Sequence, residues 1–328
     1  MNKSLSKALQ VVIPLAISAV ILYFLYRDFN FQEFWQGLNN IHLGWLLFAL
    51  LFSQVGPLLR GMRWKQLLYP IGYTNVPMKN MVLSVYTGYA MNILIPRFGE
   101  ICRCALLERY NKVPFGKSLG SLVAERVVDF VLLVTICGCI VLAQMSNFIK
   151  LMNPTDLQNV EEVAKSHTGL WITLGVIAVC LIVFFMFKDK LINWVKEFVS
   201  GFWQGFLSLK QVENLPLFLA YSIGIWVSYF FELYLAFYAF NFTEELGVSV
   251  GLLAFAGCSL AVLIPTPNGA GPWHGAIIAV LCMFGVTDAN ARTFALVVHT
   301  SQTFIYLFGG LIGWALMLAL NREKKKNE

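Results

Sequence analysis

Residues 169–187 read GLWITLGVIAVCLIVFFMF, nineteen consecutive positions without one ionisable side chain. In lipid every backbone N–H and C=O has to be satisfied inside its own segment, so a run of roughly 17 to 25 apolar residues is a helix that crosses the hydrocarbon. Further apolar runs lie at 8–26, 43–59, 80–95, 118–143, 215–240, 248–286 and 294–320. The chain is therefore expected to be an all-α polytopic integral membrane protein. Its composition agrees: 58% of residues are hydrophobic and 13% charged, against about 45 to 50% and about 25% in soluble domains. A cytosolic enzyme, a secreted scaffold and a disordered tail are excluded. The first run follows Lys3 and Lys7 and lacks a small-residue cleavage site, so it reads as an uncleaved helix.

The formal net charge is +6, but the basic residues sit beside apolar runs, as membrane topology requires. Nucleic-acid binding is not expected. Two C-x-C pairs, Cys102/Cys104 and Cys137/Cys139, fall in helical runs where i and i+2 point to different faces. No metal site and no cofactor follow from them. Nor is there a G-x-S-x-G, H-E-x-x-H, Walker A or βαβ G-x-G-x-x-G motif, so no catalytic residue is assigned and enzymatic chemistry is not expected.

Short loops rich in Lys and Arg stay cytoplasmic. The N-terminus, the segments 60–79, 97–126 and 188–213, and the tail are basic, so the expectation is a multi-pass protein of the cell (plasma or inner) membrane with both termini in the cytoplasm. The loops 27–42 and 146–168 fall outside. Both flanks of the run 80–95 are then cytoplasmic, so 80–112 is drawn as a re-entrant hairpin turning near Pro96 to Gly99. The run 248–286, broken at PTPNGAG, is a second hairpin entering from the opposite face. About six transmembrane helices and two hairpins result, in one bundle over residues 1–320 with a basic cytoplasmic tail, 321–328. Trp194, Phe198, Phe202 and Phe206, four apart among lysines, mark an interfacial helix over about 190–213. Broken segments in both halves are the pattern of transporters with inverted repeats and a midplane site, because unwound backbone survives at that depth only beside protein or water.

Arg97, Glu100 and Arg103 follow the first break. Glu100 and Arg103 are i,i+3 neighbours able to pair while Arg97 stays free, and a guanidinium fork suits a phosphate. Glu125, Arg126 and Asp129 open the fourth run, with both carboxylates on one helical face; charges at membrane depth face the bundle interior. Glu232 is isolated among Tyr229, Phe230, Phe231 and Tyr234. An unpaired acid there is either a proton-coupling group or a hydrogen-bonded core acid. Pro265, Gly269 and Gly271 shape the second break, and His274 opens the half-helix after it. Protonation of His274 near the reference value of about 6.5 would add positive charge where backbone N–H groups attract an anion. His299, early in the last run, is a second coupling candidate.

These motifs resemble the transmembrane (flippase) domain of lysylphosphatidylglycerol synthetases and its stand-alone membrane relatives, over most of the chain. LRGMRWKQLL (59–68) is similar to the family's R-x-x-R-W-x-x-L-L, NILIPRFGEICRCALL (92–107) to N-x-x-x-P with G-E-x-x-R, and LVAERVVDFVLL (122–133) to E-R-x-x-D. PTPNGAGPWHGAIIAVLCMFGV (265–286) looks like P-x-x-P-G-G-x-G-x-x-E, with His274 where Glu is common and Asn268 in place of the first Gly. The resemblance adds Arg60 and Arg63 to the site, beside Glu100, Arg103, Glu125, Arg126 and Asp129. It implies translocation of a charged-headgroup lipid, and the short stretch after the last helix leaves no room for the aminoacyl-transferase domain. The expected partners are membrane lipids, with a homo-oligomer or a lipid-modifying enzyme as protein partner. The competing expectations are a non-transporting accessory or scaffold subunit for such an enzyme, and a membrane enzyme on lipid-linked substrates.

Overall fold

The computed structural model describes residues 3–27, 29–39, 41–95, 98–145 and 212–322. The run 169–187, the loop 146–168 and nearly all of the interfacial segment 190–213 lie outside the described residues, as does the tail from 323. Among the described residues eleven α-helices carry the fold, and an isolated bridge between Ile41 and Phe240 is the one trace of β pairing.

Proline and glycine set most helix ends. Helices α1 (Lys3–Tyr26) and α2 (Phe31–Asn39) come first; α2 occupies what sequence reads as a plain loop. Helices α3 (Leu43–Phe52) and α4 (Val55–Leu68) follow, and Gly72 at φ 90° turns the chain after a short 3-10 turn. Pro77 starts α5 (Met78–Leu94). Ile95, just before Pro96, is extended at φ −137° and ψ 120°, because the proline ring excludes the helical region for the residue before it. Helix α6 (Phe98–Asn111) resumes at once, and α7 (Phe115–Ala143) begins after Pro114. In the second half Asn214 caps α8 (Leu215–Phe237) by accepting from Leu217 N–H at 3.1 Å. Helix α9 (Val248–Ala261) leads into the Pro/Gly break, Pro272 opens α10 (Pro272–Met283), and α11 (Asp288–Arg322) closes the fold.

Among the described residues four helices are long and apolar enough to cross a membrane: Leu43–Ile71, Phe115–Ala143, Leu215–Phe237 and Asp288–Asn321. A fifth arises if the pair Val12–Tyr26 and Phe31–Leu38, bent by 87°, forms one span. The distribution of polarity is that of a membrane protein. Val134, Leu142, Ile223, Phe308 and Ile312 are more than half exposed, while Arg63, Glu125, Ser118 and Ser222 are fully enclosed.

The two broken segments are both antiparallel helix pairs. In the first, Asn80 at the start of α5 donates to Asn111 at the end of α6 at 3.1 Å, and to Asn321 at the end of α11 at 3.1 Å. The pair thus begins and ends at one level, where α11 also ends. In the second, Cys258 of α9 reaches the Trp273 carbonyl of α10 at 3.9 Å. Helix α11 runs antiparallel to α5, with Gly310 on Ala90 and Tyr306 on Tyr89, and further on it meets the second break at Thr303. At 1.5 Å per residue Thr303 lies about 22 Å from the helix start, close to the middle of α11. Two cores flank this axis. One gathers Phe237, Phe240, Leu253, Ile277 and Phe294; the other gathers Trp64, Leu68, Met81, Leu107 and Phe218.

Candidate functional site

Three helices bring seven charged residues together. Helix α4 does not stop at Arg60, as expected of a cytoplasmic basic flank, but continues to Leu68 and carries Arg60 and Arg63 into the interior, 7% and 0% exposed. The correction has a clear cause: i,i+3 spacing puts both guanidiniums on one face, and carboxylates of α7 receive them. Arg60 Nη1 lies 2.7 Å from both Glu125 Oε1 and Asp129 Oδ2, and Arg63 Nη2 lies 2.7 Å from Asp129 Oδ1. Arg103 of α6 reaches Glu125 Oε2 at 3.1 Å, with its guanidinium 4.2 Å from the centre of the Trp64 ring. Trp64 in turn donates to Ser121 Oγ at 2.8 Å, fixing the ring.

The expected pairing of Glu100 with Arg103 within α6 is replaced by pairing across helices. Glu125 is fully buried beside several guanidiniums and takes Arg103, while Glu100 meets Arg126 Nε at 3.4 Å. Arg126 also reaches Glu125 at 2.6 Å and Asp129 at 3.1 Å. Arg126 and Glu100 are the open members, with side chains 43% and 33% exposed. Arg97 lies outside the described residues. Four arginines against three carboxylates leave one positive charge in the described cluster. Among the described residues the buried Nε atoms of Arg60, Arg63 and Arg103 have no hydrogen-bond acceptor. Surplus charge and spare donors are what an anion requires.

Glu232 sits apart from the cluster, 7% exposed, and accepts from Tyr306 Oη at 3.3 Å. Gln302, one turn before Tyr306 on α11, is a second polar neighbour. Tyrosines connect the two places: Arg60 Nη2 donates to Tyr229 Oη at 3.3 Å, and the Tyr229 and Tyr89 hydroxyls are 2.6 Å apart. The Tyr89 and Tyr306 rings lie 5.0 Å apart.

The second break is closed by side chains from α1 and α11. Asn268 adopts φ 50°, a left-handed conformation that asparagine tolerates, and donates to Thr303 Oγ1 at 2.7 Å while its carbonyl meets His299 Nε2 at 3.0 Å. Ser18 donates to the Ala270 carbonyl at 3.0 Å. Gly269 and Gly271 have φ 72° and 95°, which a residue with a Cβ rarely adopts, and Pro265 precedes them. His274 is buried; its Nδ1 accepts the Gly271 N–H at 3.3 Å and its ring lies 4.4 Å from that of His299. Among the described residues neither histidine hydrogen-bonds to an arginine of the cluster. Both serve the backbone of the break, so a proton on Nδ1 of His274 would cost a bond rather than simply add charge for an anion.

Sequence reasoning assigns no role to Trp64, Tyr89, Tyr229, Tyr306, Gln302 and Thr303. The one available signal is spacing: Tyr229 precedes Glu232 by three, and Gln302, Thr303 and Tyr306 share a helix with His299 at three to seven positions.

The family model for the lysylphosphatidylglycerol synthase TM region matches residues 11–310. The UPF0104 membrane protein MJ1078 of Methanocaldococcus jannaschii is 22% identical over 249 residues, which cover 73% of this chain and 99% of that protein.

Proposed function

Because the chain belongs to the lysylphosphatidylglycerol synthase transmembrane-region family, we propose that it moves a lipid with a phosphate-bearing headgroup between the leaflets of the cell membrane. One observation carries this reading: a cluster of four arginines and three carboxylates on α4, α6 and α7, enclosed except for Arg126 and Glu100, retains a positive charge and unused N–H donors. Charges at such depth are rare and mark substrate pathways. In this reading Arg126, the exposed arginine, meets the headgroup phosphate, and Glu125 and Asp129 hold Arg60, Arg63 and Arg103 in place around it. Glu100 orients Arg126. The reading assigns no bond-making step to the protein and needs no cofactor.

The topology that serves it has six crossings with both termini in the cytoplasm. Helices α5–α6 and α9–α10 are re-entrant hairpins from opposite faces, as in an inverted repeat. Helix lengths support the hairpins: α5 and α6 have 17 and 14 residues, α9 and α10 have 14 and 12, so each spans about 18 to 25 Å, short of about 30 Å of hydrocarbon.

Vesicles of phosphatidylcholine doped with a fluorescent phosphatidylglycerol, reconstituted with the purified protein and bleached from outside, test the reading. Lipid of the inner leaflet should become bleachable with the wild type. Arg126→Gln should slow that exchange about tenfold or more, the worth of a charge-assisted hydrogen bond. Lipid binding without any exchange would replace transport by the accessory-subunit reading.

A further inference from the structure

Glu232 faces a neutral shell. From α11 come Tyr306 and Gln302, with His299 one turn beyond Gln302; from α5 comes Tyr89, through the Tyr306 ring; from α4 comes Arg60, through Tyr229. Helices α3 and α9 pack on α8, and Leu43–Phe52 and Val248–Ala261 contain no charged residue, Cys258 being the titratable group of α9. Among the described residues the route from this acid to ionised groups is thus the tyrosine series that ends on Arg60, hydrogen-bonded at both ends and joined in the middle by the contact of the Tyr306 and Tyr89 rings.

That chain has a direction. Arg60 donates to Tyr229, which leaves the Tyr229 O–H to donate toward Tyr89 at 2.6 Å. At the other end the Tyr306 O–H donates to the Glu232 carboxyl at 3.3 Å. Burial disfavours the Glu232 carboxylate, the Tyr306 donor favours it, and the surplus positive charge of the empty arginine cluster adds to the donor's side. Once a singly charged anion cancels the surplus, the carboxylate is an unpaired charge in a low-dielectric interior, and taking up a proton removes it.

We propose that Glu232 is a proton-binding site coupled to the arginine cluster, gaining a proton when a phosphodiester monoanion binds there and losing it when the anion leaves. The proposal rests on the functional reading above, which places the headgroup phosphate at that cluster. The balance is simple: a buffer acid or hydronium gives up a proton, its bond to that proton breaking as the O–H of the Glu232 carboxyl forms, and release of the anion returns the proton. Linkage is reciprocal, so protonating Glu232 tightens anion binding by the factor by which the anion favours protonation.

Calorimetric titration of the full chain in detergent with short-chain phosphatidylglycerol, repeated in buffers of different ionisation enthalpy, counts protons taken up per lipid. About one is expected for the wild type at the pH where Glu232 begins charged. Glu232→Gln, which mimics the protonated acid, should bind the lipid with no proton uptake and with an affinity that no longer varies with pH. Should that variant not fold, Tyr306→Phe removes the donor that supports the carboxylate and should likewise bring the count near zero. Dimethyl phosphate is the second titrant. Proton uptake with it assigns recognition to the phosphodiester itself; uptake with the lipid alone assigns it to the headgroup held by its chains. Lipid binding without proton uptake in the wild type, or unchanged uptake in Glu232→Gln, overturns the coupling. If neither titrant binds, the headgroup reading fails and the coupling fails with it. Infrared spectra then judge the proton site alone: a carboxyl band that titrates with pH in the wild type and is missing from Glu232→Gln upholds it, and an absent band removes it.

Discussion

Arg63 is as completely removed from solvent as Glu125, with its Nη2 2.7 Å from Asp129 Oδ1 and its guanidinium 5.9 Å from the Phe218 ring centre. Removing one partner of such a buried pair strands the other, at a cost of about 3 to 5 kcal/mol. Arg63→Ala should therefore lower the thermal unfolding midpoint of the detergent-solubilised protein clearly. Arg109→Ala, on the exposed side of α6, should change stability by less than about 0.5 kcal/mol. Equal midpoints for the two variants would show that the cluster contributes nothing to holding α4 on α7. At this scale the acids and bases of the cluster were legible in sequence, because charge inside an apolar run is costly and has to be explained. Two things were not legible from the charges alone. Arg60 and Arg63 stand at the end of a run and look like a cytoplasmic flank, so that only the resemblance put them in the site, and α4 is seen to continue past them. Tyr89, Tyr229 and Tyr306 look like ordinary aromatic filling in apolar helices, since only their partners across the bundle reveal what the hydroxyls do.

Among the elements, the turn between α5 and α6 depends on one contact. A Cβ on Gly99 would lie 2.1 Å from the Gly88 carbonyl oxygen and 2.7 Å from Asn92 Oδ1, and Asn92 Oδ1 accepts the Gly99 N–H at 2.7 Å. Asn92 thereby satisfies one of the free N–H groups of the first turn of α6. Gly99→Ala should pry the two helices apart and reduce the yield of folded, monodisperse protein. Gly120→Ala meets no atom within 4 Å and should be neutral or stabilise α7 by up to about 1 kcal/mol. Size-exclusion profiles and melting curves of the two variants decide this; similar behaviour would mean that the helices need not cross so closely. Both breaks were evident from proline and glycine alone, for the steric reason visible at Ile95. Helix α2 was not, because FQEFWQGLN between two apolar runs reads as a polar connection.

For the whole molecule, the tie of Asn80 to Asn111 and Asn321 sets the ends of α5, α6 and α11 at one level. The proposed topology makes that level cytoplasmic. Single cysteines replacing Lys79 and Lys117, both exposed, in a variant lacking the seven native cysteines, should react with an impermeant maleimide from the cytoplasmic side only. A cysteine replacing Glu244 should react from outside. Labelling of Lys79→Cys and Lys117→Cys from opposite sides would turn α5–α6 into a crossing. The packing of α5 on α11 is the most extensive between any two described helices, and it joins an early segment to one made about two hundred residues later. While the ribosome is still producing α7 to α10, the first hairpin has no permanent neighbour along its Ala90 face. Nascent chains released before Gly310 is in the membrane should therefore leave α5–α6 open to quality-control proteases, and assembly waits for α11 rather than proceeding by stepwise insertion.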